Sequence, residues 1–378
     1  MFVETLKELK NLQPEQKRGR DKAIATPFPT RKTEAFSYVN LKEVETTSYA
    51  TSNEGHHISF SEGSFELLTF SQAIEKYGVF ITNQHEKMIG EEDSYFALVN
   101  HGWGNNQYFL FIKESLQDLV TIEEVFSGRG NLLFSSLHIF VAAKAKVSFH
   151  HKTTVKGENN CINRSVHIFQ EKNSEVTIYE TSDLEQNNAV FYHTRAKIKK
   201  EGIFTHRSGT LGCKTFRNEI KSYLLEERAA CTLEGFWNGA DHFGVHHLVH
   251  CSHLAPYTTS RQHYQGVSDD HARASFEGQI YVDKQAQKTD SYQLSKHLLV
   301  GEKSAGFSKP NLEVFADDVK ASHGATVSML NEEELFYLKS RGISQEKSAS
   351  ILKRGFLAFF LEAIEHNEVC KSFERLIT

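Results

Sequence analysis

The stretch from Arg261 to Thr326 constrains the fold most, because its apolar residues come in bursts too short for helices. Phe276, Ile280 and Val282 form one burst, Leu294, Leu298, Leu299 and Val300 a second, and Leu312, Val314 and Phe315 a third. Polar and small residues separate them, as in Asp283-Lys284-Gln285-Ala286 and Gly301-Glu302-Lys303-Ser304. A polar tip, a small residue where the chain turns tightly, and then a strand make one rung of a coiled sheet.

The same signal begins at Tyr108. Strands are predicted at Tyr108–Ile112, Leu132–Phe134, Leu137–Val141, Val147–His150, Val166–Phe169, Val176–Tyr179 and Phe191–Ile198. Between them the turn segments resemble one another: Ala143-Lys144-Ala145-Lys146, Lys172-Asn173-Ser174-Glu175, Lys199-Lys200-Glu201-Gly202 and Glu227-Arg228-Ala229-Ala230. They recur roughly every two to three dozen residues, within the range of repeat architectures. Such a rung cannot bury its apolar face alone and becomes stable only by stacking. Pro256 and Pro310 are expected beside turns, as a continuous ladder requires. A β-sandwich or a propeller is the competing architecture, although there is no blade-length repeat with a Trp-Asp pair and only Trp103 and Trp237 are present.

The ends differ from this middle. Phe2, Leu6 and Leu9 share a helical face, and the helix is expected to stop near Pro14. Thr26-Pro27-Phe28-Pro29-Thr30 cannot continue a helix and reads as a linker or docking strap. The polar run from Glu45 to Glu62 predicts an irregular excursion, followed by helices around Ser71 to Lys76 and Ser94 to Asn100. After Leu330 the period switches. Asn331 with Glu334 three residues on resembles a capping box, Gly342 suits a left-handed helix stop, and Ser344 caps a second helix. That helix carries a wide stripe through Ile351, Leu352, Phe356, Phe359, Phe360 and Ile364, which packs on its own domain or docks a partner. The expected organisation is a helical and mixed region over 1–105, a β core over 106–328 and a helical region over 329–378.

Composition excludes several classes. The 43 basic and 48 acidic residues of the 378 leave a net charge of -5 with no long block of either sign, so no nucleic-acid groove is expected. Five widely spaced cysteines without a CxxC pair fit neither a disulfide framework nor a zinc ribbon and suit a reducing compartment. With no apolar leader at Met1-Phe2-Val3-Glu4 and no membrane-length apolar run, a cytoplasmic protein is expected, with no membrane partner. There is no GxxxxGK[ST] phosphate loop, so any ATP must be handled by a partner.

The segments Gln287-Lys288-Thr289-Asp290, Lys309-Pro310-Asn311-Leu312-Glu313-Val314, Ala316-Asp317-Asp318-Val319-Lys320, His323-Gly324-Ala325-Thr326 and Leu335-Phe336-Tyr337-Leu338 closely resemble the SufD family. Strong likeness covers about 260–356, with echoes at Pro29-Thr30-Arg31-Lys32-Thr33-Glu34 and Phe96-Ala97-Leu98-Val99-Asn100. The resemblance implies a right-handed parallel β-helix flanked by helical regions, in a non-catalytic scaffold subunit for iron–sulfur cluster assembly. It implies pairing with the paralogue SufB and binding of the SufC ATPase through the C-terminal helices. A transient iron–sulfur cluster is expected at the SufB interface, with sulfur from a cysteine desulfurase system and reduced flavin in some complexes. A homodimer is the alternative state of the isolated chain. The wording Ser322-His323-Gly324-Ala325-Thr326, and the absence of cysteine from Lys288 to Leu298, favour SufD over SufB.

By the same resemblance His323 is the candidate metal ligand, completing a cluster site with a cysteine from SufB. Neutral imidazole can bind iron. The alternative is structural, closing the last rung or packing at the dimer interface. Many relatives have cysteine where this chain has Ala321, which excludes a thiolate there. A second cluster, His246, His247, His250, Cys251 and His253, would place His247, Cys251 and His253 on one face of a strand, and a structural or interface role is expected. His56 with His57, and His150 with His151, read as surface pairs, while Cys161, Cys213 and Cys231 read as small apolar fillers. The competing function is a carbohydrate-binding or carbohydrate-active β-helix using Asp269, Asp270, Asp283, Asp317 or Asp318, but adjacent acids on a strand point to opposite faces.

Overall fold

The computed structural model describes residues 1–9, 16–50, 55–104 and 106–377, apart from the side chains of residues 85 and 86. The expected end of the first helix near Pro14 and the boundary at 105 lie outside these residues. The N-terminal region comprises helices α1 (Phe2–Glu8), α2 (Lys17–Ala25) and α3 (Lys42–Thr46), strands β1 (His56–Phe60) and β2 (Glu66–Thr69), and helices α4 (Phe70–Glu91) and α5 (Tyr95–Trp103). Strands β3 (Gln107–Ile112), β4 (Val120–Phe126), β5 (Leu132–Val141), β6 (Lys146–Val155), β7 (Cys161–Gln170) and β8 (Glu175–Leu184) follow. The stack continues through β9 (Ala189–Ile198), β10 (Ile203–Thr210), β11 (Thr215–Leu224), β12 (Ala230–Gly239) and β13 (Gly244–His253). It ends with β14 (Thr259–Ser268), β15 (Arg273–Val282), β16 (Asp290–Leu299), β17 (Ala305–Val314) and β18 (Lys320–Met329). Helices α6 (Glu332–Ser340), α7 (Gln345–Ala358) and α8 (Asn367–Ile377) close the described chain.

Successive strands of the stack alternate between two sheets, one ordered β4-β6-β8-β10-β12-β14-β16-β18 and the other β3-β5-β7-β9-β11-β13-β15-β17, so the core is a parallel β-solenoid. What spaces the coils is a corner. Lys144, Asn173, Glu201, Arg228, Tyr257 and Lys288 all adopt positive φ and recur at intervals of 29, 28, 27, 29 and 31 residues. The amide of each corner donates to the next coil, as in Asn173 to Lys200 at 2.8 Å, Glu201 to Glu227 at 3.0 Å and Tyr257 to Gln287 at 2.9 Å. A non-glycine residue in this conformation costs about 1–2 kcal/mol, of the same order as the hydrogen bond gained. The small residue predicted at the turn has a different job: Ala145, Ser174, Ala229, Thr258 and Thr289 directly follow the corners and are buried where the coil is narrowest.

Several expectations are corrected. The segments predicted at Leu132–Phe134 and Leu137–Val141 are one strand, because Ser135 and Ser136 are buried and Ser136 donates to Asn100 Oδ1 at 2.5 Å. Pro310 is not beside a turn but inside β17, tolerated because β17 has no strand on its far side to receive a donor. The irregular run expected from Glu45 to Glu62 contains the end of α3 and all of β1, while residues 51–54 lie outside the described chain. The helix expected over Ser71 to Lys76 runs on to Glu91, with non-helical backbone at Tyr77.

The proline-bounded strap docks. Phe28 packs edge-on against Phe2 at 5.8 Å and Tyr95 at 5.4 Å, and Phe96 of α5 stacks on Phe191 of β9 at 3.7 Å. A buried ion-pair knot ties the same region to the solenoid. Arg195 donates to both Glu92 oxygens at 2.8 and 2.9 Å and to Glu219 at 2.5 Å. Burial alone would raise the Glu92 carboxyl, but the Arg195 charge outweighs it and holds the group at about 2. At the other end α7 and α8 cover the outer face of the β8–β14 sheet through Phe236, Phe360, Phe373, Leu357 and Val369. Helix α8 was not anticipated, although Val369, Phe373, Leu376 and Ile377 have helical spacing and are its buried face.

The lumen is not uniformly apolar. Near its first coils, Glu124 accepts from His56 at 2.8 Å and His151 at 2.9 Å, and Arg164 reaches Glu180 at 2.6 Å. Burial alone raises the Glu124 carboxyl, but the His151 and His56 hydrogen bonds hold it well below its ordinary value. The surface reading of His56, His150 and His151 is therefore overturned: the side chains of His56 and His151 are 2% and 3% exposed, and His150 is fully buried. Nothing in local polarity announced this, because the partner acid is supplied by a different coil. Burial likewise pushes His247 and His253 down to about 3 and His297 to about 4.

Two predictions follow from packing and charge. A Cβ at Gly266 would stand 2.0 Å from Trp237 Cδ2 in the lumen. Gly266→Ala should therefore lower stability by about 1–3 kcal/mol in urea unfolding. The histidines stay neutral when folded but take up protons when unfolded, so stability present above about pH 6.5 is lost as pH falls toward 4. Each such histidine contributes a slope of up to about 1.4 kcal/mol per pH unit, and Glu92, held at about 2, adds to the loss below about pH 4.5. A urea midpoint that stays level from pH 7 to pH 5 would contradict this.

Candidate functional site

The two ends of the solenoid are built differently. At the first coil β1 lies antiparallel on β4 and β2 antiparallel on β3, so both sheets are covered. At the last coil, among the described residues, β18 pairs only with β16 and β17 only with β15. The open end carries Val314 at 39% exposure, Phe315 at 59%, Val327 at 49% and Met329 at 64%. An uncovered edge strand offers unpaired amides and carbonyls to another strand. Pro310 removes one donor from β17, whereas β18 contains no proline, so β18 offers the more complete ladder.

His323 sits in the open strand, exposed, in register with Gln293 of β16. It thereby extends the lumen-facing row of Ser291, Gln293, Ser295 and His297, all buried. The imidazole has no hydrogen-bond or ion-pair partner among the described residues. Behind it the row is polar and undersupplied: both amide atoms of Gln293 and both ring nitrogens of His297 lack partners among the described residues. Trp237 lies 4.9 Å from His297 and 5.5 Å from His247, ring centre to ring centre.

No thiol reaches this end. Cys161, Cys213, Cys231 and Cys251 are buried, and Cys370 is on α8. The hydrogen bond with Cys231 pushes the Cys251 thiol up, burial adds to it, and burial pushes Cys213 up to about 12. Such thiols are inert as nucleophiles and poor ligands. Ala321, in register with Ser291, supplies no donor.

In the second histidine cluster the side chains bond or pack within the fold. His253 is bound by Thr258 and Ser260, both at 2.8 Å, His246 by Ser275 at 2.8 Å, and His247 is packed against Tyr264 at 5.1 Å. Among the described residues no group of three or more His, Cys, Asp or Glu side chains is placed to hold a metal. His323 is therefore a single exposed nitrogen donor, able to complete a site but not to make one. Three of the five candidate acids are engaged elsewhere: Asp269 binds Lys353 at 3.0 Å, Asp318 pairs with Lys288, and Asp270 accepts from the Asp241 amide at 3.2 Å.

A second exposed surface belongs to α6. The helix is capped as expected, with Asn331 accepting from the amides of Glu333 and Glu334, and it ends at Gly342 with φ +83. None of its residues is buried, and Phe336 and Tyr337 are 73% and 58% exposed. Ile351 on α7 is 41% exposed. The sequence stripe thus divides: Leu357 and Phe360 are buried against the solenoid while Ile351 faces solvent. Among the described residues no helix is long and apolar enough to cross a membrane.

A family model described as SUF system FeS cluster assembly, SufBD core domain, matches residues 125–356. The iron-sulfur cluster assembly protein SufD of Escherichia coli (strain K12) is 41% identical over 174 residues, which cover 46% of this chain and 41% of that protein. An iron-sulfur cluster assembly SufBD family protein of Synechocystis sp. is 35% identical over 159 residues, or 41% of this chain and 34% of that one. A SufBD family protein of Pyrococcus horikoshii is 23% identical over 319 residues, or 79% of this chain and 67% of that one. The chain spans less than half the length of the first two of these relatives. With the SufBD core covering more than half of its residues, from the first coils through the open strand to α7, the chain belongs to the SufBD family of iron–sulfur cluster assembly proteins.

Proposed function

We propose that this chain is a non-catalytic scaffold subunit of the cytoplasmic Suf assembly complex, pairing with SufB through its open solenoid end and with the SufC ATPase through α6 and α7. The observation that carries the reading is the asymmetry of the ends: one coil is covered by β1 and β2, the other is left open and apolar. Pairing with a homologous solenoid satisfies the β18 ladder and covers Val327 and Met329, which is strand addition at an edge. Two copies of this chain can meet in the same way when SufB is absent. The bare aromatic pair on α6 gives SufC an apolar anchor.

In this reading the nascent iron–sulfur cluster is cargo, held for a time at the SufB interface. His323 supplies one imidazole nitrogen, and thiolates must come from SufB because no cysteine of this chain is near. Sulfur arrives from a cysteine desulfurase system, and reduced flavin is associated with some such complexes. The carbohydrate-active alternative finds little support, since Asp269 and Asp318 are neutralised by lysines.

Co-expression of the tagged chain with SufB and SufC, followed by anaerobic iron and sulfide analysis, tests the assignment. His323→Ala should co-purify both partners at wild-type stoichiometry and lose most of the bound iron and sulfide. Loss of SufB from that variant would instead make His323 an interface residue. Phe336→Asp should release SufC, retain SufB and leave the thermal midpoint within about 2 °C, because an exposed side chain contributes little to folding. Retention of SufC by Phe336→Asp would place the ATPase contact elsewhere.

A further inference from the structure

Along one side of the solenoid, far along the chain from the open strand, a cavity of about 330 Å³ lies between the segment that precedes α3 and the turns before β11, β13 and β15. Its size falls at the lower end of the range for small-molecule sites. A neighbouring space of about 240 Å³ shares Lys214, His242 and Phe243 with it, so the two form one elongated recess. Nothing in the assembly function uses these residues.

The charge of the recess runs against the rest of the molecule. The whole chain carries -5, yet the recess presents Arg31, Lys214 and Arg273 against two acids, Glu43 and Asp241, the latter accepting from Gln186 at 2.8 Å. Glu43 is bound to Lys214 at 2.7 Å. Arg31 and Arg273 have no carboxylate partner among the described residues. Arg273 is nevertheless placed: its guanidinium lies 5.2 Å over the Phe307 ring, and that ring stacks on Tyr38 at 4.8 Å. A guanidinium held on an aromatic face, with its N–H groups uncommitted, is prepared for an oxyanion.

The floor adds a buried donor. His246 is 4% exposed, and its Nδ1 is bound by the Ser275 hydroxyl at 2.8 Å. In the tautomer in which Nδ1 accepts from that hydroxyl, Nε2 carries the proton and can donate. A Cβ at Gly244 would stand 3.2 Å from this nitrogen, so the glycine keeps the space in front of it clear. At the rim the His242 and His271 rings lie 4.6 Å apart at 33°, beside Phe243. Two free cations, one buried imidazole nitrogen and an aromatic rim suit a dianionic phosphate carried on a flat ring.

We propose that this recess binds a mononucleotide, with its phosphate on Arg31, Arg273 and His246 and its base at the His242–His271 rim. The assignment does not depend on the scaffold reading: of the open coil only Phe307 of β17 takes part, as the ring beneath Arg273, and no residue of β18 or α6 does.

Isothermal titration of the full chain with adenosine 5′-monophosphate tests it, with adenosine and inorganic phosphate as separate titrants. Binding of the monophosphate, tighter than inorganic phosphate and absent for adenosine, is the expected result. Arg273→Gln and Arg31→Gln should each weaken it roughly tenfold or more, the effect of losing one charge-assisted contact, with unchanged circular dichroism and thermal midpoint. If Arg273→Gln unfolds the chain, the exposed Arg31→Gln alone decides. No heat with the monophosphate at millimolar concentration, equal affinity for inorganic phosphate, or binding unaffected by Arg31→Gln would overturn the assignment. Capture of a single-stranded oligonucleotide without the mononucleotide would overturn it as well.

Discussion

The structure depends on the coil-to-coil backbone ladder and on the left-handed corners that keep it in step. A coil of a parallel solenoid has all its amides and carbonyls directed at its neighbours, so each coil is both stabilised by the previous one and incomplete without the next. Corner residues such as Asn173, Glu201 and Arg228 continue that ladder around the bend, where a sheet would otherwise lose its partners. The demand does not end with the chain. It is met at the first coil by two antiparallel strands and, among the described residues, left unmet at β18.

Within this frame the charged residues have two roles. In the lumen and under α5 they are paired inside the protein, as in the Glu124–His151 and Arg195–Glu92 contacts, and breaking one partner of such a pair leaves a buried charge. The Arg195 contacts with Glu92 and Glu219 tie the segment between α4 and α5 to β9 and β11. In the recess beside α3, Arg31 and Arg273 remain uncommitted, and near the open end His323 does too. Uncommitted polar groups on a rigid wall are inexpensive to keep when something else binds them.

The sequence determined that the middle of the chain is a stack of short strands, that helices replace strands after Leu330, and that Asn331, Gly342 and Ser344 punctuate those helices. These are local effects: alternation sets a strand, a side-chain oxygen caps a helix, and glycine accepts positive φ. Likeness to a known family then placed His323 in the last rung, a position that spacing alone does not distinguish from any other histidine. Only the tertiary structure decided that His56 and His151 meet Glu124 in the lumen, since their partner comes from a coil that local pattern cannot align with them. Only it decided that Pro310 is inside an edge strand, that one end of the stack is covered and the other bare, and that Arg31 and Arg273, 242 positions apart, face one cavity. The physical reason is the same in each case: period and capping act over a few residues, whereas burial and charge pairing are fixed by which coil lands on which.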